Sequence, residues 1–391
     1  MSFRPSALRE EDEADRSPAP IAARAAVVHD WFQGFHGSER TVAAMLDLFA
    51  HDPDIFTFHA ARELLPARLA AAIVRESRLA RFPGIRQRGH DPGRWRWLLP
   101  YMPHYFWRLD ITGYEVVISS SHACAAGVRT SPESLHVCYC YTPMRYAWMP
   151  EAERGRVQGV KGLALASLRG RLKAWDRRAA QRPDVYVAIS TAVAERIARF
   201  YGRDAFVISP PVAIGDVPHD VERDPTHFLW VHRLVGYKRP LEVAAAFRDL
   251  SDLRLTMVGV GPLERELREA LPPNVELLGW LPRERLARLY AGAAGFIHVG
   301  EEDFGISMVE ALAAGTPVLA VDRGGARDIV RPGVDGVLIT GPADPARVRQ
   351  GVLELARGRW DRRRLREGAE RFSGERFRNR MADLLRAAGA S

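Results

Sequence analysis

Short, nearly all-apolar runs recur along the chain, each followed by a longer stretch whose apolar residues return every third or fourth position. The first run is Ala25-Ala26-Val27-Val28-His29. Behind it Val42, Met45, Leu46 and Phe49 share one face of a predicted helix, with Gly37 or Ser38 expected to cap it. Further strands are predicted over 54–58, 115–119, 135–140 and 185–189. After a break they resume over 228–232, 253–258, 275–278, 295–299, 317–321 and 336–339. Unbroken apolar runs suit parallel strands covered on both faces. Helical patterns over 240–250, 283–292 and 305–314 separate them, and this alternation predicts βαβ units in doubly wound sheets.

A chain of 391 residues exceeds one ordinary core, so two domains of about 150–200 residues are expected. The stretch from Ser209-Pro210-Pro211-Val212 to Pro225 is Pro-rich and weakly patterned, and reads as the linker, residues 209–226. It divides an N-terminal domain, 24–208, from a second domain, 227–374. Residues 1–20 are acidic and Pro-containing, the composition of a disordered tail.

Composition narrows the function classes. Lys and Arg outnumber Asp and Glu by 56 to 48, which favours anionic partners. Three cysteines without framework spacing argue against a disulfide-built secreted protein, and Cys138 and Cys140 are expected on opposite faces of a buried strand. The N-terminus lacks the basic start and apolar run of a signal peptide, and no stretch reaches the ~18 apolar residues of a membrane span. A cytoplasmic location is therefore expected.

The densest chemistry lies at Glu301-Glu302-Asp303-Phe304-Gly305-Ile306-Ser307-Met308-Val309-Glu310-Ala311-Leu312-Ala313-Ala314-Gly315-Thr316-Pro317-Val318. A strand is predicted to end just before it and a helix to begin near Gly305. Free amides at a helix start favour an anion. Glu302 can accept hydrogen bonds from sugar hydroxyls, and Glu310 from a ribose diol. The plain alternative is a solvated loop charge and an exposed helix residue. Glu310, however, sits beside small apolar residues, where an acid is expected to be packed and paired.

This segment closely resembles the donor-binding signature of retaining GT-B glycosyltransferases, specifically glycosyltransferase family 4: two glutamates with seven residues between them, Phe-Gly after the first, and Glu-Ala-Leu-Ala-Ala-Gly-Thr-Pro-Val at the second. The resemblance spans about residues 24–390 and is densest over 227–340. It implies an α/β protein of the GT-B class, two doubly wound Rossmann-like domains facing across a cleft. The first would be the acceptor-side domain and the second the nucleotide-sugar-binding domain, with residues 375–391 a helix crossing back to the first. It implies no bound metal and no cofactor beyond the nucleotide sugar. It also places Phe304, Gly305, Ile306, Ser307 and Glu310 in the donor site.

Other segments agree with that resemblance. Arg233 and Lys238, five residues apart after a predicted strand, match the family's pyrophosphate-binding pair, a planar fork and a compact charge. Gly259-Val260-Gly261-Pro262 lacks the third glycine of a dinucleotide fingerprint and matches the family's Gly-x-Gly-Pro, which brings in Gly261. Leu281 is expected near the nucleobase. Gly37-Ser38-Glu39 stands where relatives have Gly-Gly-Glu; a left-handed backbone would suit Ser38 poorly. His122, in Ser119-Ser120-Ser121-His122, resembles the histidine that faces the donor sugar. His122, Arg233, Lys238 and Glu302 are thus the catalytic candidates. Tyr141-Thr142-Pro143-Met144-Arg145-Tyr146-Ala147-Trp148 is similar to a segment of a mannosyltransferase-like subgroup that helps build O-antigens and exopolysaccharides. Tyr141 replaces its histidine, and Tyr141, Arg145 and Trp148 are acceptor candidates, with a packed loop as the alternative. Asp52-Pro53-Asp54 reads as a turn rather than a metal motif.

The expected reaction is retaining transfer of a hexose, first mannose from GDP-mannose, to a glycan or lipid-linked acceptor. The alternatives are a UDP-sugar-dependent transferase, a nucleotide-sugar 2-epimerase and a non-catalytic carbohydrate-binding scaffold. Residues 66–108 hold nine Arg and two acids, interleaved with Trp95, Trp97, Tyr101, Tyr105, Phe106 and Trp107. Between Arg154 and Arg178, Leu163, Leu165, Leu168 and Leu172 alternate with Lys161, Arg169, Arg171 and Lys173. Such surfaces suit an anionic membrane, giving peripheral attachment to the inner face as an expectation, against solvated helices as the bland reading. No nucleic-acid motif accompanies them, and nucleic acid is not an expected partner.

Overall fold

The computed structural model describes residues 19–82, 84–85, 94–149, 160–215, 218 and 220–390, with only the backbone of 160–168. The expected tail lies outside the described residues except for 19 and 20, as do parts of both basic stretches. The chain forms two compact units: residues 1–211 with 374–391, and residues 212–373.

The first unit is built on a seven-stranded parallel sheet: β1 (Ala25–His29), β2 (Asp54–Thr57), β3 (Ile73–Glu76), β4 (Val116–Ser121), β5 (Leu135–Cys140), β6 (Val185–Ala188) and β7 (Phe206–Val207), in the order β3-β2-β1-β4-β5-β6-β7. Every residue of β1 and β4 is buried, as their unbroken apolar character requires. Helix α1 (Gly37–Leu46) follows β1, and its N-cap is His36, not Gly37 or Ser38. The helix starts a residue earlier than expected because Glu39 turns back to accept a hydrogen bond from the His36 amide at 3.2 Å. Helices α2 (Val160–Ala179) and α3 (Thr191–Tyr201) complete this half of the unit. Ser190 caps α3, and Gly202, in the left-handed region, ends it. All three cysteines are buried and unbridged.

The second unit carries a six-stranded parallel sheet: β8 (Asp224–Val231), β9 (Arg254–Val258), β10 (Val275–Leu278), β11 (Ala293–His298), β12 (Val318–Val321) and β13 (Gly336–Ile339), in the order β10-β9-β8-β11-β12-β13. Helix α4 (Arg283–Gly292) leads into β11, and α5 (Ile306–Ala313) follows it. Its core gathers Phe228, Trp230, Phe247, Ile297, Leu319 and Leu355, all buried. The last helix, α6 (Gly374–Ala387), belongs to the first unit, where Phe377 meets the ring of Tyr139 edge-on at 5.7 Å.

Both sheets share one topological consequence. The chain starts in the middle, adds strands to one side, then crosses over and adds strands to the other. Two neighbouring strands therefore send their following loops in opposite directions, leaving a crevice at their carboxyl ends. That point lies between β1 and β4 in the first unit and between β8 and β11 in the second.

Candidate active site

In the second unit the crevice residues are His232 and Arg233 after β8, and His298 and Glu302 at and after β11. The sequence Val235-Gly236-Tyr237-Lys238 makes a tight 3-10 turn over Gly236–Lys238. Arg239, placed before Pro240, takes a left-handed backbone with φ of 59°, the one positive φ outside glycine among the described residues. A residue before proline is disfavoured in the right-handed helical region. The kink turns Lys238 inward, where its side chain is 8% exposed, and its Nζ ion-pairs with Glu302 Oε1. An ammonium so buried needs such a partner.

Two histidines that the sequence reading did not single out complete this cluster. Lys238 Nζ lies 3.5 Å from His232 Nδ1, and His298 Nε2 lies 3.7 Å from Glu302 Oε2. The residue His232 keeps some surface, but its Nε2 is shielded from solvent. Burial, and then the neighbouring positive centres, hold both imidazoles well below the usual histidine range, so they are neutral. A carboxylate beside His298 Nε2 favours the proton there, which leaves Nδ1 to accept from the Ser307 hydroxyl at 3.3 Å. The cluster thus concentrates its positive charge on Lys238, with Arg233 nearby in sequence, exposed and without an ion pair among the described residues.

The loop carrying Glu302 is held from below. Gly324, with φ of +60°, packs so closely that a Cβ there would stand 2.1 Å from the Glu302 carbonyl oxygen. Phe304 is buried against Phe372, ring centroids 5.6 Å apart, and Gly305 caps α5 with φ of 108°. Ile306 and Ser307 form the first turn of α5, and Glu310 comes one turn later. Glu310 lines a cavity with Arg283, Leu286, Ala287, Tyr290 and Ala313. Burial and this carboxylate together push the Tyr290 phenol upward. Gly261 packs its backbone against Leu234, and Leu281 is half-buried after β10. Beside Leu281, Trp280 is 75% exposed, and Val260 and Tyr237 are also open to solvent at this end of the sheet. Lys238, Glu302 and Ser307 are therefore brought together, with Glu310 one helical turn away.

In the first unit the crevice holds a buried polar network. His29 Nδ1 meets the Ser120 hydroxyl at 3.0 Å, and that hydroxyl meets the Tyr141 hydroxyl, also at 3.0 Å. Tyr141 donates to the Ser38 carbonyl at 3.1 Å, and the Ser38 hydroxyl to Glu39 at 3.1 Å. Neither Gly37 nor Ser38 has a positive φ, because both lie in the first turn of α1; Ser38 bears no left-handed strain. Burial lowers His29 to about 4 and keeps it neutral. His122 stands edge-on to Trp31, 4.3 Å between centroids, and its ring lies 6.1 Å from that of Tyr141, beside the network that joins Tyr141 to Ser38. Arg145 begins a single helical turn, Arg145–Trp148. Trp148 is taken up in packing: it stacks on Phe200 at 4.7 Å and donates to Asp176 at 2.6 Å. Asp52 is held by Arg68, and Asp54 accepts from Tyr114 at 2.6 Å, so both acids of the turn have partners.

Residues 217–372 match the family model described as Glycosyl transferases group 1. The chain is 37% identical over 111 residues to a GDP-mannose-dependent alpha-mannosyltransferase of Corynebacterium glutamicum, covering 28% of this chain and 26% of that protein. It is 33% identical over 239 residues to a D-inositol 3-phosphate glycosyltransferase of Geodermatophilus obscurus, 52% of each chain. The chain thus spans at most about half the length of these curated relatives. Among solved structures, Anabaena HepE in complex with UDP is similar at a TM-score of 0.66 and 16% identity, covering 93% of this chain and 100% of that one. The apo lipopolysaccharide outer core galactosyltransferase WaaB is similar at 0.61 and 17%, covering 93% and 99%. At such identities the likeness speaks to fold, and the two parallel α/β sheets are those of the GT-B class.

Proposed function

We propose, on the match of residues 217–372 to the Glycosyl transferases group 1 model, that the chain is a glycosyltransferase of that group, that it transfers a hexose, with retention, from a nucleotide-diphosphate sugar to an acceptor hydroxyl, and that the donor is GDP-mannose. The observation that carries this reading is the Lys238–Glu302 pair at the crevice of the second sheet, with exposed Arg233 beside it in sequence.

Arg233 and Lys238 hold the donor pyrophosphate, and Lys238 divides its charge between Glu302 and the phosphate. Glu302 accepts from donor-sugar hydroxyls, and Glu310 from the ribose diol. His122 hydrogen-bonds a sugar hydroxyl. Positive charge fixed where the leaving phosphate gains negative charge is the main source of rate, because it needs no reorganisation as the bond breaks. The departing phosphate oxygen takes the acceptor proton, so no further base is required. Arg145 is the candidate for an anionic acceptor group. The relative matched over the most residues of those named above is called after D-inositol 3-phosphate, a small anionic acceptor, and this favours a phosphorylated acceptor beside the lipid-linked one.

Thermal shift with GDP-mannose, GDP, UDP-glucose and UDP-N-acetylglucosamine tests the donor. A ligand that binds only the native state raises the melting temperature by mass action. GDP-mannose is expected to stabilise most. A larger shift with a UDP-sugar reassigns the base, and no shift with any of them overturns the reading. Conversion of the donor to its 2-epimer without acceptor, read by NMR, would replace transfer by epimerisation.

A further inference from the structure

The loop after β4 is held by one side chain. Asp30, which follows β1, is completely buried. Its Oδ2 accepts from the amides of His122 at 2.7 Å and Ala123 at 2.9 Å, and its Oδ1 from Cys124 at 2.7 Å and Ala125 at 2.9 Å. Four successive backbone donors thus converge on one carboxylate. Of the side chains of this size, only an ionised aspartate offers that many acceptor sites and no donor. The same Oδ2 lies 3.5 Å from His122 Nδ1, and the His122 side chain keeps 22% of its surface.

A carboxylate attracts an N–H and repels a ring lone pair. The other rings around His122 are Trp31, His29 and Tyr141, at centroid distances of 4.3, 5.8 and 6.1 Å. His29 has its Nδ1 committed to Ser120, and the Tyr141 hydroxyl lies between Ser120 and Ser38. Asp30 is therefore the acid poised to choose between the two neutral forms of the His122 ring.

We infer that Asp30 is a positioning residue for His122: it clamps the 122–125 loop and holds the imidazole with the proton on Nδ1, so that Nε2 is presented as an acceptor for a ligand hydroxyl. The use of that acceptor on a sugar rests on the glycosyltransferase reading; the tautomer does not. A neutral histidine with its proton on Nε2 could only donate at that position. A sugar hydroxyl can do either, but an Nε2 acceptor leaves the hydroxyl oxygen free for a second donor.

The tautomer is read in the wild-type chain by two-bond proton–nitrogen correlation NMR on histidine-labelled protein, at about pH 8.5, well above the ordinary histidine pKa of roughly 6.5. Loss of one signal in His122→Ala assigns the ring. A protonated Nδ1 and bare Nε2 are expected, and a protonated Nε2 overturns the inference whether or not any donor is turned over. Kinetics give a second arm. Asp30→Asn places an NH2 group against loop amides and is expected to lower kcat at least tenfold, with donor KM changed less than threefold. In a His122→Ala background the same substitution should change kcat less than twofold, since its effect passes through His122. Equal losses in both backgrounds would make Asp30 a purely structural clamp and overturn the role. If Asp30→Asn does not fold, the wild-type spectrum decides alone.

Discussion

Lys238 and Glu302 illustrate what one pair of side chains must satisfy at once. The ammonium is buried and needs a partner, yet the partner carboxylate must still accept from a sugar. At 24% side-chain exposure, Glu302 keeps a face open while its other oxygen pairs with Lys238. The neutral state of His232 and His298 prevents three positive centres from crowding together. Lys238→Ala and Glu302→Ala are each expected to lower turnover at least tenfold, about 1.4 kcal/mol of transition-state stabilisation. Circular dichroism should show both variants folded, because Glu302 can be hydrated and Lys238 keeps His232 Nδ1 at 3.5 Å. Near-normal sugar transfer by either would remove the pair from the mechanism. These two positions were legible in the sequence because charged residues at strand ends in a matched spacing stand out. His232 and His298 were not, since a lone histidine at a strand terminus gives no sign of which neighbour it faces. Asp30 was equally silent: its partners lie more than ninety positions away, and nothing local reports them.

Among the elements, α2, α3 and the turn Arg145–Trp148 are tied by Asp176. Trp148 donates to its Oδ2 at 2.6 Å and Tyr201 at 2.8 Å, and burial pushes this carboxyl up to about 7. The folded chain then keeps a proton between pH 4 and 7 that the unfolded chain releases. Its contribution to stability is full below the unfolded pKa and is lost as pH rises through about 7. His29 and His136, lowered to about 4 and about 3, act in the opposite direction over acidic pH, so a difference measurement is needed. Asp176→Asn can still offer one oxygen to both donors. Relative to wild type it should gain about 3 kcal/mol between pH 5 and pH 8, read as a rising difference in denaturant midpoints. A difference that stays flat with pH would mean Asp176 is ionised throughout. Trp148, an acceptor candidate from the sequence, is also a packing residue here, and sequence spacing cannot tell a ring over a ligand from a ring over a neighbouring helix.

At the scale of the molecule, surface composition raises the question of where this chain works. No helix among the described residues is long and apolar enough to cross a membrane. Of the nine exposed large hydrophobics among the described residues, five lie within 74–101: Val74, Leu79, Phe82, Trp97 and Tyr101. Arg75, Arg78, Arg81, Arg94 and Arg96 are exposed among them, while Glu76 is paired with Arg62 at 2.9 Å. In the second basic stretch Leu172 packs on the core of the first unit instead. Vesicles with anionic lipid should therefore pull down the protein at low salt, and Phe82→Glu with Trp97→Glu should cut recovery at least fivefold. Equal recovery on neutral and anionic vesicles would leave this patch without a membrane role.

The periodicity and turn chemistry of the chain by themselves determined the alternation of strand and helix, since burial on one or two faces is a local property of side-chain order. The donor-type signature was legible as a resemblance to a known family, because its members are close in sequence. Only the tertiary structure decided which strands are neighbours, and with that which distant groups share a crevice. Edge strands such as β3 and β7 were invisible for the same reason: a few residues at a sheet margin owe their conformation to the strand beside them, not to their own pattern.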